Sequence, residues 1–150
     1  MIIEIKNEVQ MTNFGKKLGS FLVGGEVIEL VGDVGAGKTT LTKGIGIGLG
    51  VTENVQSPSF TISQVYDARD NLTLSHYDFY RLNDAGIMSE DLNEKIGQSD
   101  NVTVIEWAAI VSGVLPSDRM TITIRPTSET SRELSIVSSG PKSHGIEEQL

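Results

Sequence analysis

Apolar and polar residues follow one another along the chain in short patterns that predict both strands and helices. Runs rich in Val, Ile, Thr and aromatic residues, set between turn-forming residues, are typical of strands. Apolar residues that recur every third or fourth position are typical of helices that bury one face. Strand patterns occupy residues 2–6, 26–31, 57–67, 71–80, 101–107, 119–126 and 132–139, and helix patterns occupy residues 11–22, 39–50 and part of 83–100.

The helix pattern over residues 39–50 carries an apolar stripe but is interrupted by three glycines. Each glycine costs roughly 1 kcal/mol relative to alanine in a helix interior, so we expect close packing against the sheet to compensate. In the earlier helix pattern, Thr12 is the predicted N-cap. The stripe of the second helix consists of Leu41, Ile45 and Leu49, and its glycines are Gly44, Gly46 and Gly48.

The order of these patterns favours an α/β fold with an antiparallel portion. A helix follows the second strand and can cross over to a parallel neighbour, whereas residues 57–80 predict an antiparallel hairpin around the turn DARDN. We therefore predict a single domain, over residues 1–138. Residues 139–150 are polar and are predicted to form a flexible tail.

Composition and charge limit the cellular compartment and the types of partner that we expect for the chain. Its 150 residues contain no cysteine, which excludes disulfides and thiolate metal sites and fits a cytoplasmic protein. No apolar run reaches the ~20 residues that a membrane span requires. The formal net charge is -8, and the 12 Lys and Arg residues are scattered. We therefore expect no tight direct binding to nucleic acid, while a basic protein partner is compatible with the charge.

The stretch GDVGAGKTT, between a strand pattern and a helix pattern, is a complete Walker A motif. Its glycines let backbone N–H groups approach phosphate oxygens and adopt unusual dihedral angles. Lys38 can reach the β- and γ-phosphates of a nucleoside triphosphate, and the hydroxyl of Thr39 can ligate Mg²⁺. The alternative is a glycine-rich turn with a surface lysine, which the strand–loop–helix setting disfavours.

A magnesium–nucleotide site needs a second anchor, which is normally an acidic residue where a neighbouring strand ends. Glu106 and Asp78 occupy such positions. Each could hold the metal or orient an attacking water. The alternatives are a solvated strand-end carboxylate for Glu106, and a turn or cap residue for Asp78.

Several further features have a functional and a structural interpretation that the sequence leaves open. His76 orients a carboxylate or packs as a structural histidine, and Trp107 stacks, faces a partner or belongs to the core. Residues 57–59 form a switch-like loop or a strand-entry turn. Arg81 and Arg132 contact phosphate or base, or form surface ion pairs. With two histidines in the chain, a histidine-rich metal site is excluded.

Absent motifs narrow the class of P-loop protein. The chain has neither the Asn-Lys-x-Asp element of GTPases nor an LSGGQ-like transporter signature. A small-molecule kinase usually supplies several arginines from a mobile lid, and this chain has no such cluster. The same scarcity of arginine predicts slow ATP hydrolysis by the isolated chain. A small-molecule kinase and an ATP-binding scaffold without hydrolysis remain the alternatives to an ATPase.

Five motifs follow one another in a fixed order: GDVGAGKTTLTKGIGIGLG, SPSF, HYDFYRL, VIEW, and LP before the last strands. Together they resemble the TsaE family, also called YjeE, small bacterial ATPases of tRNA threonylcarbamoyladenosine biosynthesis. The resemblance covers about residues 8–137. It implies a P-loop NTPase-like three-layer fold with a mixed, mainly parallel sheet.

The resemblance also implies roles for individual residues. Lys38, Asp78 and Glu106 would be catalytic. Thr39, Asp78 and Glu106 would form the metal site, and Asp78 would either ligate Mg²⁺ or position water beside the γ-phosphate. Thr40 would lie on the α-phosphate side. The ATP-binding set would be Thr12, Gly35, Ala36, Gly37, Lys38, Thr39, Thr40 and Arg132, with Thr12 and Arg132 near the nucleoside.

In function, the resemblance implies an Mg²⁺-dependent ATPase required for the threonylcarbamoyl group on adenosine 37 of tRNAs that read ANN codons. Such a protein, with ATP and Mg²⁺ as cofactors, acts as a partner-activated switch for TsaD and TsaB, which carry out the transfer and handle the tRNA. The chain departs from the family pattern at Asp33, Ser59, Ala108 and Ala109, over residues 86–98, and in the unusually glycine-rich helix pattern of residues 44–50. The last two departures bear on partner docking more than on nucleotide chemistry.

Overall fold

The computed structural model describes residues 1–58, 62–80, 82 and 86–150. Its centre is a sheet of seven strands, whose bounds are β1 (Ile2–Ile5), β2 (Val27–Val31), β3 (Ser63–Asp67), β4 (Thr73–Asp78), β5 (Asn101–Glu106), β6 (Met120–Pro126) and β7 (Arg132–Ser138). The strand order is β1-β7-β6-β2-β5-β4-β3. Strands β6, β2, β5 and β4 run parallel. The pairs β1–β7, β6–β7 and β3–β4 are antiparallel, so the predicted mixed sheet is confirmed.

Helices cover both faces of this sheet. They are α1 (Glu8–Phe21), α2 (Lys38–Gly48), α3 (Ile87–Ile96) and α4 (Pro141–Glu147), with a 3-10 segment at Ala108–Val114. Helices α1 and α2 pack on each other over one face, and α3 and the 3-10 segment contact each other over the opposite face. The predicted three-layer α/β class is confirmed. No helix in the part of the chain that the structure describes has the length and apolar character to cross a membrane.

The middle strands are buried on both faces, as parallel strands usually are. Every residue of β5 is buried. Val102 and Val104 belong to the apolar cluster beneath α1 and α2, whereas Ile105 belongs, with Tyr77, to the cluster beneath α3. Because these apolar runs hold β4 and β5 in register, the residues that end the two strands, Asp78 and Glu106, are paired neighbours.

Helix α3 is tethered to β4 by a side-chain hydrogen bond. The hydroxyl of Tyr77 donates to Asp91 Oδ2 at 2.5 Å. Burial, reinforced by this hydrogen bond, raises the pKa of Tyr77 above its usual range, so the hydroxyl keeps the proton that it donates. Tyr77 precedes Asp78 directly, and the tether therefore fixes the strand next to the candidate site.

Glycines bring α1 and α2 into close contact. A methyl group built on Gly15 would lie 2.8 Å from the Cα of Gly44, and one built on Gly48 would lie 2.9 Å from the Cα of Gly19. The predicted reason for the glycines of α2 is therefore wrong for Gly44 and Gly48, which pack against α1 rather than against the sheet. Gly46 instead faces a side chain, that of Val55.

Helix α1 begins earlier than predicted. Its N-cap is Asn7, whose Oδ1 accepts a hydrogen bond from the Gln10 amide at 2.9 Å, while Gln10 Oε1 accepts one from the Lys6 amide at 2.8 Å. Thr12 lies inside the helix, and its hydroxyl donates to the Glu8 carbonyl at 3.1 Å. The prediction of Thr12 as N-cap is wrong because Asn7 already caps the helix through the Gln10 amide, while the Gln10 side chain holds the preceding residue, Lys6.

Residues 139–150 contain a packed helix rather than the predicted flexible tail. The carboxylate of Asp118 accepts hydrogen bonds from the amides of Lys142 and Ser143, at 2.8 and 3.0 Å, and from the Ser143 hydroxyl at 2.7 Å. Partial burial alone would raise the pKa of Asp118, but these hydrogen bonds outweigh it and lower the pKa. Ile146 is buried in the core. Pro141 at the first helical position is a local start signal, but the carboxylate that accepts from the next two amides lies more than twenty residues earlier in the chain, beyond the reach of a local pattern.

Candidate functional site

The glycine-rich loop lies between the end of β2 and the start of α2. Gly35 and Gly37 have φ angles of 82° and 114°, in a region that other residues rarely adopt. The Ala36 amide donates to the Asp33 carbonyl at 3.0 Å, which turns the loop back towards the helix. The first amides of a helix have no intrahelical acceptor, so they form an anion-binding terminus. The backbone therefore has the conformation that the Walker A motif predicts.

Lys38 begins α2 and is buried, with 6% of its surface exposed. Its ammonium group donates to the Gly32 carbonyl and, at 3.4 Å, to the Asp33 carbonyl. It also lies 4.1 Å from the centre of the Trp107 ring, a cation–π contact. Burial lowers the pKa of Lys38, and the nearby carboxylate of Glu106 opposes this shift most strongly. The alternative of a surface lysine on a glycine turn is thus not what the structure shows.

The two strand-end acids are neighbours but have different surroundings. Glu106 is buried, with 3% of its surface exposed, and its Oε2 lies 2.6 Å from Nε2 of His76. Asp78 is half-buried. It accepts hydrogen bonds from the Tyr80 amide at 3.0 Å and from the Ser57 hydroxyl at 3.4 Å. Asp78 therefore also holds a turn, as the structural alternative proposed, while its carboxylate remains at the site.

An aromatic pair forms one wall of the site. The ring centres of Tyr80 and Trp107 are 4.8 Å apart, with the planes tilted by 41°. Trp107 has a left-handed backbone, with φ at 56°, which is uncommon for a bulky residue. Its ring lies under the Lys38 ammonium group and also packs against the apolar cluster beneath α3. Stacking and core packing, two of the interpretations of Trp107, are therefore combined.

These groups line a cavity of about 390 Å³, called here the Lys38 cavity. It brings together Lys38, Asp78 and Glu106, which the sequence predicts to be catalytic, with the hydroxyl-bearing residues at the start of α2. The residues that line it are Val34, Gly35, Gly37, Lys38, Thr39, Thr40, Ser57, Asp78, Tyr80, Glu106 and Trp107. Sequence reasoning did not single out Val34 or Tyr80. Their signal was position, inside the Walker A motif and two residues after Asp78.

A second cavity, of about 420 Å³, lies on the other side of the glycine loop and is called here the Arg132 cavity. It shares Gly35, Gly37 and Thr40 with the Lys38 cavity and includes Ala36 and Arg132. The other described residues that line it are Asn7, Glu8, Met11, Glu129 and Thr130. A single ligand that follows the loop could therefore occupy both cavities.

The two residues predicted near the nucleoside differ in their placement. Arg132 Nε donates to the Ala36 carbonyl at 2.9 Å, and its Nη1 donates to carbonyls of the β6–β7 turn, including that of Ser131 at 2.9 Å. Arg132 thus joins this turn to the glycine loop rather than forming a surface ion pair. Thr12 is not among the described residues that line either cavity, although its neighbour Met11 lines the second one.

The other candidates are accounted for as follows. His76 is fully buried and contacts the Glu106 carboxylate, so the carboxylate-orienting interpretation agrees with the geometry. His144 is exposed and contacts the Ser138 carbonyl. Ser59, Phe60 and Arg81 lie outside the described residues.

The donor atoms of the Lys38 cavity suit a magnesium ion that arrives with phosphate. Within the described ranges, no group of three or more His, Cys, Asp and Glu residues could hold a metal by itself. Mg²⁺ commonly uses one or two carboxylates together with substrate phosphates and water. Asp78, Glu106 and the hydroxyl of Thr39 offer such a set of hard oxygen donors. These residues therefore fit Mg²⁺ as part of a nucleotide complex.

The parallel strands around β2, the glycine loop before α2 and the helices on both faces define a three-layer α/β protein of the P-loop NTPase type. The family model described as "Threonylcarbamoyl adenosine biosynthesis protein TsaE" matches residues 5–134. The chain belongs to the TsaE family.

Individual relatives agree with this assignment. The tRNA threonylcarbamoyladenosine biosynthesis protein TsaE of Bacillus subtilis (strain 168) is 37% identical over 145 residues, which is 96% of this chain and 89% of the relative. The protein of the same name from Streptomyces coelicolor is 40% identical over 126 residues, covering 83% of this chain and 85% of the relative. A crystal structure of YdiB from Bacillus subtilis superposes with a TM-score of 0.81 at 33% identity, covering 99% of this chain and 92% of that one.

Proposed function

We propose that the chain is an Mg²⁺-dependent ATPase of tRNA threonylcarbamoyladenosine biosynthesis. The observation that carries the proposal is the Lys38 cavity, where a glycine loop, a buried lysine and two strand-end carboxylates line one space. This is the set of groups that P-loop enzymes use to hold and split a nucleoside triphosphate. The pathway follows from membership of the TsaE family and from the names of the relatives.

Each residue of the cavity has a proposed task. The backbone amides of the loop and the Lys38 ammonium group bind the β- and γ-phosphates and stabilise negative charge as the terminal phosphoryl group leaves. Thr39, Glu106 and Asp78 hold the metal, or Asp78 orients the attacking water. Bound Mg²⁺ would neutralise phosphate charge. Thr40, which lines both cavities, contacts the α-phosphate side.

The nucleoside is proposed to occupy the Arg132 cavity. Gly35, Ala36, Gly37 and Thr40 connect that cavity to the Lys38 cavity, so an ATP molecule that follows the loop reaches it. Arg132 shapes it by holding the β6–β7 turn against Ala36. Thr12 remains a weaker candidate because it lines neither cavity among the described residues.

Hydrolysis by the isolated chain is proposed to be slow. Among the described residues of the Lys38 cavity, Lys38 is the only cation. P-loop enzymes frequently need an arginine, supplied in cis or by a partner, to stabilise the transition state. We propose that docking on TsaD and TsaB completes the site and that tRNA is contacted mainly by those partners. The net charge of -8 agrees with such a division of labour.

The experiment that tests this function measures Mg²⁺-dependent ATP hydrolysis by the chain alone, with TsaD and TsaB, and with tRNA added. We expect low activity alone, a clear rise with the partners, and loss of activity in Glu106→Ala. Turnover of tens per second by the isolated chain would contradict the proposal. ATP consumption that depends on a small-molecule acceptor would support a kinase, and binding without hydrolysis under every condition would support a scaffold.

A further inference from the structure

Among the residues that the structure describes, the side chain of the buried histidine beneath the Lys38 cavity forms one hydrogen bond, and its partner is a candidate metal ligand. His76 has 0% of its surface exposed, and its Nε2 lies 2.6 Å from Glu106 Oε2. Among the described residues, its other ring nitrogen, Nδ1, is buried without a hydrogen-bond partner. Burying a polar nitrogen without a partner costs free energy. The hydrogen bond to Glu106 is the feature of His76 that can offset this cost. An apolar side chain would fill the same space without that penalty.

The sheet explains how His76 reaches Glu106. In the parallel ladder His76 pairs with Val104, and Asp78 pairs with Glu106. Side chains two residues apart on a strand share a face, so His76 lies on the same face of β4 as Asp78. Its ring therefore extends diagonally from beneath Asp78 to the carboxylate of Glu106 on the neighbouring strand.

The contact constrains the orientation of the carboxylate. An ionised carboxylate can only accept, so the proton of the 2.6 Å hydrogen bond lies on Nε2 of His76. Oε2 of Glu106 is thereby held, and no hydrogen bond between described residues engages the other oxygen of this carboxylate, which lines the Lys38 cavity. Partners of this kind fix ligands in metal sites, and their loss typically weakens metal affinity or activity by about 10- to 100-fold.

We propose that His76 is a positioning residue that holds the Glu106 carboxylate in the orientation needed to bind Mg²⁺ with the nucleotide. This inference rests on the proposed function, since it assumes a metal–nucleotide complex in the Lys38 cavity. It assigns His76 no contact with substrate. Its effect is on the metal-dependent part of binding and not on nucleotide binding as such.

Two substitutions separate this role from packing. His76→Leu fills the space but removes the donor, whereas His76→Gln keeps an amide N–H at a similar reach. The matched control is Ser75→Ala, because Ser75 is equally buried in the same strand but donates to Asn101, at 2.7 Å, instead of to Glu106. For each variant, the dissociation constant of a non-hydrolysable ATP analogue is measured with Mg²⁺ and with EDTA, and the ratio of the two constants is compared.

We expect Mg²⁺ to strengthen analogue binding in the wild type, in Ser75→Ala and in His76→Gln. In His76→Leu this Mg²⁺-dependent gain should fall by about tenfold, with little change in EDTA. A gain that His76→Leu retains in full, or that His76→Gln loses to the same extent as His76→Leu, would overturn the positioning role. A wild type without any gain would instead overturn the proposed function, on which the inference depends.

A second measurement does not depend on the folding of the leucine variant. The chain has two histidines, so the Nε2–H proton of His76 can be assigned by NMR from its absence in His76→Gln. We expect this resonance to shift when Mg²⁺ is added to the complex of the wild type with the analogue. A resonance that does not respond to Mg²⁺ would overturn the proposal.

Discussion

The ammonium group of Lys38 rests against the Gly32 carbonyl oxygen and the ring of Trp107. These contacts satisfy a cation that burial would otherwise destabilise, as its lowered pKa shows. A phosphate group offers a stronger partner, because its negative charge attracts the ammonium group, whereas a carbonyl oxygen carries no net charge. At the scale of the residue, nucleotide binding should therefore redistribute the contacts of Lys38.

The ring of Trp107 provides a probe for that change. It is the only tryptophan in the chain, so fluorescence excited selectively from tryptophan, without the three tyrosines, reports on the Lys38 cavity alone. We expect Mg²⁺–ATP to change the emission of the wild type and to have no comparable effect in Lys38→Met at the same concentration. Lys43→Met, which removes an exposed lysine from the same helix, is the control and should respond as the wild type does. An unchanged response in Lys38→Met would contradict this assignment.

Arg132 supports the glycine loop through its shape as well as its charge. Its guanidinium group bonds the Ala36 carbonyl through Nε and the β6–β7 turn through Nη1, two donors held apart by a planar group, whereas a lysine has all its donors on one nitrogen. We expect Arg132→Lys to raise the dissociation constant for ATP about fivefold, which corresponds to one net hydrogen bond. Arg125→Lys alters an exposed ion pair with Glu133 in the same hairpin and should leave the constant unchanged. Equal effects from both substitutions would contradict the role of Arg132.

At the scale of the elements, the crossing of α1 and α2 depends on glycine. A Cβ on Gly15 would lie 2.7 Å from the Leu41 carbonyl oxygen, which belongs to the backbone and cannot move aside easily. We expect Gly15→Ala to lower the free energy of unfolding by roughly 1–3 kcal/mol, the usual cost of overpacking. Gly145→Ala is the matched control, since Gly145 lies in α4 with open space around its Cβ.

The control substitution, Gly145→Ala, is expected to change the stability in the opposite direction. Alanine is favoured over glycine in a helix by roughly 0.5–1 kcal/mol, so Gly145→Ala should raise the midpoint of thermal unfolding while Gly15→Ala lowers it. Thermal unfolding followed by circular dichroism measures both variants. A Gly15→Ala protein as stable as the wild type would contradict the prediction, because the two helices could then move apart without a loss of folding free energy.

The cap of α4 should make part of the stability depend on pH. Because folding lowers the pKa of Asp118, the ionised form favours the folded state. Its contribution is complete above the ordinary aspartate pKa of about 3.9 and is lost as the pH falls through the lowered value. The difference in unfolding free energy between the wild type and Asp118→Ala should therefore shrink between pH 6 and pH 3. A constant difference across that range would contradict the capping role.

Local patterns predicted the elements whose cause is local, and missed those whose cause lies elsewhere in the chain. Strands β2 and β5 are predictable from their own runs of apolar residues, and the loop is predictable from its own glycines, because consecutive residues determine the burial of the strands and the backbone conformation of the loop. Helix α4 has a local start signal in Pro141 but is held by the distant Asp118, and the glycine crossing depends on another helix. The Walker A residues and both strand-end acids were predicted to share a site because each follows a recognisable strand. The contact between Arg132 and Ala36 was not predicted, because the two residues lie far apart in the chain.

At the scale of the whole molecule, the sheet gathers the site at the ends of β2, β4 and β5. Loops that follow parallel strands meet at one edge, where open α/β sheets usually bind ligands. That edge presents Tyr80, of which 53% is exposed, and Val34, of which 70% is exposed, beside the Lys38 cavity. A protein that docked there would lie close to the nucleotide. We therefore propose a link between ATP hydrolysis in the Lys38 cavity and repeated turnover by the partner proteins.

The most direct test of this link is the yield of modified tRNA in a reconstituted reaction. TsaD, TsaB, tRNA, ATP and a threonylcarbamoyl donor are combined with the wild type or with Glu106→Gln, and threonylcarbamoyladenosine is counted per molecule of TsaD. We expect several rounds with the wild type and no more than about one with the variant, because the role proposed for hydrolysis is to reset the TsaD–TsaB complex between rounds. A variant that supports as many rounds as the wild type would contradict this role.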